Sequence, residues 1–366
     1  MGGYPAAAMP TTTLDATPLS AAHGLRGIGA VVQGLIEGFA GLAERPELLV
    51  RRGQPVPAPF TGRPVRWPAW PYYRVPDPFP PLIERALGRN GVFHATQPSL
   101  VPRRGRVVAT CYDLIPARFP RWYLSGPGRW PERAAYRRYL GRLRTAQLVW
   151  AISEESGHDA VRLAGVDPGR VRVVPLAAPA QRTPEGPVPS GDYVLVAGGL
   201  EPHKNAAAAL EALAGVGGDV RLVMAGPWST RRAERLQRRA GALGVADRVV
   251  WLGWVGAGRL AALRGGAAAV LVPSWAEGFG LPVVEGMAAG VPVLAADIPA
   301  LRESGGDAAV YLPPGRPERW SAAIERLLDD PGERARRAEA GRRRADTFTW
   351  ERTARGVADL YAEAAA

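Results

Sequence analysis

The sequence predicts an α/β protein made of two domains, each a parallel sheet with helices on both faces. Three observations predict it. Short β-branched runs recur, each followed by a Gly-rich corner and then an amphipathic stretch, the strand–helix alternation of parallel sheets. A segment with four prolines and no periodicity, 176–191, divides the chain. The length, 366 residues, is about twice the ~150 residues of an average domain.

Along the first half the pattern gives a weak opening strand over 13–18 and a helix over 28–42. A Pro- and Arg-rich stretch over 45–80 takes no assignment. Clearer strands follow over 92–95, 106–111, 148–152 and 171–175. The second half is nearly metronomic, with strands over 193–198, 220–226, 249–253, 269–273 and 292–296. Helical patterns lie between them, near 206–215, 230–243, 256–265 and 281–289. Its apolar runs barely alternate, as strands covered on both faces require. The boundaries that follow are a first domain over 1–178, a linker over 179–192, a second domain over 193–348 and a C-terminal helix over 349–366 that crosses back to the first. Two such domains on a hinge imply a ligand cleft facing the carboxyl ends of both sheets.

Composition narrows the class. With 47% apolar and 22% charged residues the chain is ordinary and globular. No uncharged apolar run approaches the ~18 residues that span a bilayer, and residues 1–9 have neither the basic nor the apolar region of a secretory signal. One cysteine, Cys111, excludes an internal disulfide and a Cys-based zinc cluster. A reduced, cytoplasmic chain is the economical reading. The net charge of +12 invites an acidic partner, but 45 of the 46 cations are arginines spread along the whole chain. That spread argues against nucleic acid and leaves a peripheral contact with an anionic membrane, at the inner face, as the partner that charge suggests. Eight arginines between Arg118 and Arg144, interleaved with Trp122, Tyr123, Trp130, Tyr136 and Tyr139, are a membrane- or acceptor-facing surface or simply a helix with its solvated face outward.

The most informative segment is Pro273-Ser-Trp-Ala-Glu277-Gly-Phe-Gly-Leu-Pro-Val-Val-Glu285. It leaves a buried strand and turns through Gly278 and Gly280 into a helix begun by Leu281 and Pro282, proline being favoured in a first turn. Such a corner offers backbone amides to a phosphate. Glu277 in the loop and Glu285 one turn into the helix suit hydroxyl groups: a sugar on one side of a diphosphate, a ribose on the other. The blander alternative is that Glu285 only favours a helix N-terminus and Glu277 is solvated. Glu201-Pro-His203-Lys204-Asn205 follows the strand 193–198, with Asn205 placed to cap the next helix. His203 and Lys204, the one lysine of the chain, are candidates to neutralise a departing diphosphate, or are a surface basic pair. His23-Gly-Leu-Arg-Gly27-Ile-Gly29 opens a helix with two glycines that let backbone approach a phosphate. Thr110-Cys-Tyr112-Asp113 ends a first-domain strand, where Tyr112 or Asp113 can touch a sugar or Asp113 merely cap a turn; His94 ends the neighbouring strand and reads as structural. No D-x-D, P-loop, G-x-G-x-x-G or G-x-S-x-G motif is present, which argues against metal-held nucleotides, P-loop chemistry, hydride transfer and hydrolase chemistry.

The segment Glu277-Gly-Phe-Gly-Leu-Pro-Val-Val-Glu285 resembles the E-x7-E motif of the retaining glycosyltransferases of family 4, which have the GT-B fold of two Rossmann-like domains. The likeness extends through Val291-Pro-Val-Leu and Leu301-Arg-Glu-Ser-Gly-Gly-Asp-Ala-Ala309, and back to Glu201–Asn205, Tyr112-Asp-Leu-Ile-Pro116, Ala151-Ile-Ser153 and Arg26-Gly-Ile-Gly29. It is strong over about 190–330 and loose before 90. The resemblance implies catalytic roles for Glu277, Lys204 and Tyr112: Glu277 on donor-sugar hydroxyls, Lys204 on the diphosphate. It implies amides of Gly278, Phe279, Gly280 and Leu281 near sugar and phosphate, Glu285 on the ribose, the Gly27–Gly29 loop over the phosphates and backbone around Trp254 and Val255 on the base. Two departures stand out. Tyr112 takes a place where many relatives carry histidine, and Gly198-Gly199 follows a strand where many carry arginine, which leaves Lys204, with His203, to carry the phosphate charge. The resemblance further implies transfer of a hexosyl unit, mannosyl favoured, from a nucleoside-diphosphate sugar (GDP-mannose favoured, a UDP- or dTDP-sugar otherwise). The acceptor would be a hydroxyl of a glycan, lipid-linked or small-molecule compound in glycan, glycolipid or natural-product biosynthesis, with no metal and no cofactor. The alternatives are a GT-B phosphorylase, an epimerase or a sugar-nucleotide-binding subunit.

Overall fold

The computed structural model describes residues 10–20, 27–65, 91–97, 102, 105–178 and 182–366. They form two compact units, Met1–Pro179 with Thr349–Ala366, and Ala180–Phe348.

The first unit is built on seven parallel strands: β1 (Thr12–Asp15), β2 (Glu47–Arg51), β3 (Gly62–Val65), β4 (Val92–Ala95), β5 (Arg106–Cys111), β6 (Leu148–Ala151) and β7 (Val171–Val173). Their order is β3-β2-β1-β4-β5-β6-β7. Leu14 of β1 lies opposite Leu48 on one side and His94 on the other, so the winding reverses between β1 and β4. Such a switch point opens a crevice at the carboxyl ends of the strands. The opening strand is shorter than 13–18 because the Asp15 carboxylate accepts from the Thr17 N–H (3.0 Å) and hydroxyl (2.6 Å), pulling the chain into a 3-10 turn over Thr17–Ser20. The unassigned stretch 45–80 supplies β2 and β3, and its end, 66–80, lies outside the described residues. β3 carries Pro64 and stands at the sheet edge, where a strand tolerates the missing N–H.

The terminal helix Trp350–Ala365 packs on the helix Ile28–Ala40 of the same unit. A Cβ on Gly34 would overlap the Trp350 indole and one on Gly38 the Trp350 carbonyl, so the two helices meet only because those positions are glycine. Tyr361 stacks on Phe39 with ring centroids 5.9 Å apart.

The second unit has six parallel strands: β8 (Tyr193–Ala197), β9 (Arg221–Ala225), β10 (Val249–Gly253), β11 (Ala269–Val272), β12 (Val293–Ala296) and β13 (Val310–Leu312). Their order is β10-β9-β8-β11-β12-β13. The winding reverses between β8 and β11, which pair through Val270 and Leu195. The helices between them, Ala206–Ala214, Thr230–Ala242, Ala257–Gly265 and Leu281–Ala288, fall within a residue or two of the sequence pattern. β13 and the helices Pro299–Gly305, Pro317–Asp329 and Pro331–Ala345 complete the unit.

Candidate active site

The loops that follow β8 and β11 meet at the second unit's switch point, and three contacts stitch them together. The Trp275 N–H donates to the His203 carbonyl at 2.7 Å. Asn205, in the left-handed region at φ 53°, donates its side-chain amide to the carbonyls of Pro273 (3.0 Å) and Pro314 (3.1 Å). It therefore stands ahead of the helix Ala206–Ala214 without capping it, contrary to the sequence expectation, because its side chain is taken by neighbouring loops. The third contact is an ion pair: Lys204 Nζ lies 2.8 Å from both Glu277 oxygens. Residues 73 apart in sequence are thus brought together by the adjacency of β8 and β11.

Glu277 is buried, and its Oε1 also accepts from the Ser274 hydroxyl at 2.7 Å. Burial pushes the carboxyl up, but the Lys204 charge and the bonds from Lys204 and Ser274 outweigh it and hold it below the ordinary carboxylate value. The group is an anion with its charge already matched. His203 behaves differently. Burial, then the Lys204 charge, lower it to about 4, so it is a neutral imidazole at pH 7 and not the second cation that the sequence suggested. Lys204 alone supplies positive charge from this loop.

The loop leaves Glu277 through Gly278 and Phe279 to Gly280, whose φ of 91° only glycine adopts readily, and no side chain caps the helix Leu281–Ala288 that begins there. The Phe279 ring is buried edge-on to Phe348 at 5.4 Å, so what Phe279 offers a ligand is backbone. Glu285 accepts from Arg264 Nη2 at 2.6 Å, a contact the sequence reading missed. Arg264 sits at the end of the preceding helix, with no local pattern to mark it. Ser274 was missed too; its signal is a hydroxyl three residues before Glu277. Val255 is half-buried just past β10, beside Trp254, which is 63% exposed.

The first unit's switch point has another character. Asp15 is fully buried; besides Thr17 it accepts from the Thr96 hydroxyl (3.1 Å) and the Gln97 amide (3.2 Å), all neutral donors. Burial raises its pKa, and these hydrogen bonds do not cancel the effect. The Tyr112 hydroxyl is buried with no hydrogen-bond partner among the described residues, and burial followed by the Asp15 charge pushes its pKa up. Asp113 Oδ1 accepts from the Ile115 N–H at 3.1 Å, a turn-capping role. His94 is structural: its Nδ1 lies 2.7 Å from the Tyr361 hydroxyl and its Nε2 2.8 Å from that of Thr110. Gly27, at φ 49°, and buried Gly29 start the helix Ile28–Ala40; His23 and Arg26 lie outside the described residues. Arg118 leaves the proposed basic surface, since it pairs with Glu155 and, at 2.8 Å, with Asp159. Trp122 (42% exposed) and Trp130 (69%) do stand on the surface.

Two doubly wound all-parallel units, one with a Lys–Glu pair and an uncapped helix start at its switch point, define a GT-B protein. The family model for glycosyl transferases group 1 matches residues 179–344, and that for Glycosyltransferase Family 4 matches residues 25–182. The chain belongs to this family of glycosyltransferases. It is 34% identical over 229 residues to a D-inositol 3-phosphate glycosyltransferase of Acidothermus cellulolyticus, covering 56% of this chain and 51% of that one. It is 26% identical over 290 residues to the O-antigen chain mannosyltransferase B of Escherichia coli, covering 75% and 74%. The chain thus spans about half the length of the first of these relatives. A sucrose-phosphate synthase from Thermosynechococcus elongatus shares the fold, with a TM-score of 0.75 at 20% identity over 97% of this chain and 98% of that one.

Proposed function

We propose that the protein transfers a hexosyl unit from a nucleoside-diphosphate sugar to an acceptor hydroxyl, with retention of anomeric configuration and without a metal. The second unit would hold the donor and the first the acceptor. The observation that carries this reading is the pairing of half-buried Lys204 with buried Glu277 beside the uncapped start of Leu281–Ala288. An incoming diphosphate competes with Glu277 for Lys204. Glu277, held as an anion, then accepts hydrogen bonds from hydroxyls of the sugar. As the bond from the anomeric carbon to the diphosphate breaks, charge gathers on the phosphate, where an ammonium and helix amides stabilise it. The acceptor oxygen bonds to the anomeric carbon on the same face, and its proton passes to the departing phosphate oxygen. A glycoside and a nucleoside diphosphate result.

GDP-mannose is the favoured donor, supported by the family resemblance and by the mannosyltransferase among the relatives. We place the reaction in the cytoplasm. The exposed Trp122 and Trp130, set among arginines of the first unit, favour an anionic membrane as a peripheral docking surface; no described helix is long and apolar enough to cross one. A thermal-shift screen of GDP-mannose, UDP-glucose and dTDP-glucose, followed by transfer in excess EDTA and assignment of the product anomer, tests the reading. Stabilisation by at least one nucleotide, EDTA-resistant turnover and a retained anomer are expected. An inverted product, or activity that only magnesium or manganese restores, overturns the mechanism.

A further inference from the structure

We propose that Arg264 is a positioning residue for nucleotide recognition: its guanidinium fixes Glu285 so that the carboxylate meets the two ribose hydroxyls of the donor. The proposal rests on the ribose role given to Glu285. Arg264 Nη2 lies 2.6 Å from Glu285 Oε2, with the two side chains 13% and 22% exposed. In every other arginine ion pair among the described residues of the second unit the cation is at least 30% exposed. Water competes least for this one.

The pair is an inefficient device for stability alone. Arg264 Nε is buried with no hydrogen-bond partner among the described residues, and a largely enclosed ion pair with an unsatisfied donor repays little of its desolvation. Its geometry suits another purpose. The arginine holds the carboxylate through one oxygen by one nitrogen, and Glu285 Oε1 accepts from no described residue. A carboxylate has about four lone-pair sites, so enough remain for the vicinal hydroxyls of a ribose. The two groups come from the end of Ala257–Gly265, seated on β8, and the second turn of Leu281–Ala288, seated on β11, so the sheet sets the carboxylate's orientation before a ligand arrives.

The test is calorimetric titration of GDP, UDP and their 2′,3′-dideoxy counterparts into wild type, Arg264→Met, Arg264→Lys and Glu285→Gln. Wild type should prefer the ribo form of its nucleotide by about tenfold or more, the scale of hydrogen bonds to a charged group. Arg264→Met should lose most of that preference with its dideoxy affinity unchanged, and Arg264→Lys, able to donate one N–H, should recover part of it. Should Glu285→Gln keep the full preference, or wild type show none, the ribose reading fails and this proposal with it. Should Glu285→Gln lose the preference while Arg264→Met keeps it, only the role of Arg264 fails. Equal weakening of ribo and dideoxy binding in Arg264→Met would mark a purely structural residue and overturn the proposal.

Discussion

The two units share a topology and differ in how their switch points treat a buried carboxyl. In the second unit Glu277 is ion-paired to Lys204 and held below its ordinary pKa. In the first, Asp15 receives only neutral donors among the described residues, and burial raises it. The same strand ends therefore carry opposite electrostatics. A matched charge pair can be reopened by an anionic ligand, which takes the lysine and frees the carboxylate for hydroxyls. A buried carboxyl held by neutral donors has no counter-ion to give up; it shapes a polar floor near the Tyr112 hydroxyl, which has no hydrogen-bond partner among the described residues. A parallel sheet fixes where the switch point lies, and in the second unit a lysine adds a charge pair that the first lacks there among the described residues.

The contrast can be broken at several points. Glu277→Gln removes the anion while keeping the shape, and should lower kcat by about a hundredfold or more, as loss of one preorganised electrostatic group does. Wild-type turnover at saturating donor would deny Glu277 its place on the sugar. Glu285→Ala should weaken nucleoside-diphosphate binding by roughly 1.5–3 kcal/mol, the worth of hydrogen bonds to a charged group, with the fold intact. Calorimetry reads the change directly, and unchanged affinity would retire the ribose contact.

The first unit's neutral interior predicts a pH effect of definite sign. Burial lowers His94 to about 3 from 6.5. The unfolded chain thus takes up a proton that the native protein refuses as pH falls from 6.5 towards 3. Stability should drop through that window, by up to about 1.4 kcal/mol per pH unit. His94→Gln, which can still bond Tyr361 and Thr110, should flatten the slope by as much as one proton in urea unfolding from pH 7 to 5. An unaltered slope would mean that the group titrates freely. His203, lowered to about 4, adds a slope of the same sign from the second unit. Asp15→Asn should cost about 1–3 kcal/mol at pH 7, because one acceptor oxygen becomes a donor facing other buried donors, yet it orphans no cation. Its raised folded pKa means that Asp15 itself contributes most below its unfolded value and less as pH rises. A loss at pH 7 as large as that of a broken ion pair would erase the distinction between the two units.

Much of this was legible in the sequence where local signals are strong. Continuous apolar runs ending in Gly corners located β8 to β12, and Glu277 and Lys204 stood out by spacing and by the scarcity of lysine. His94 read correctly as structural. What escaped depends on tertiary placement. β3 hides because Pro64 is tolerable only at an edge, which no window reveals. The charge on His203 is decided by burial, and Arg264 acquires its meaning from a carboxylate 21 residues away on another helix. Asn205 carries a capping residue type, yet folding of the loops around Pro273 and Pro314 claims its amide.

Lys204 is where the account is most exposed. The diphosphate gains charge as the glycosidic bond breaks, so a fixed ammonium should favour the transition state over the bound donor. Single-turnover transfer at saturating donor, comparing wild type with Lys204→Ala and Lys204→Arg, reads that difference. The rate should fall by about a hundredfold or more for alanine and recover in part for arginine, whose planar fork replaces a compact ammonium. A Lys204→Ala rate within about twofold of wild type, against that hundredfold scale, would contradict this expectation and reduce the Lys204–Glu277 pair to a structural contact.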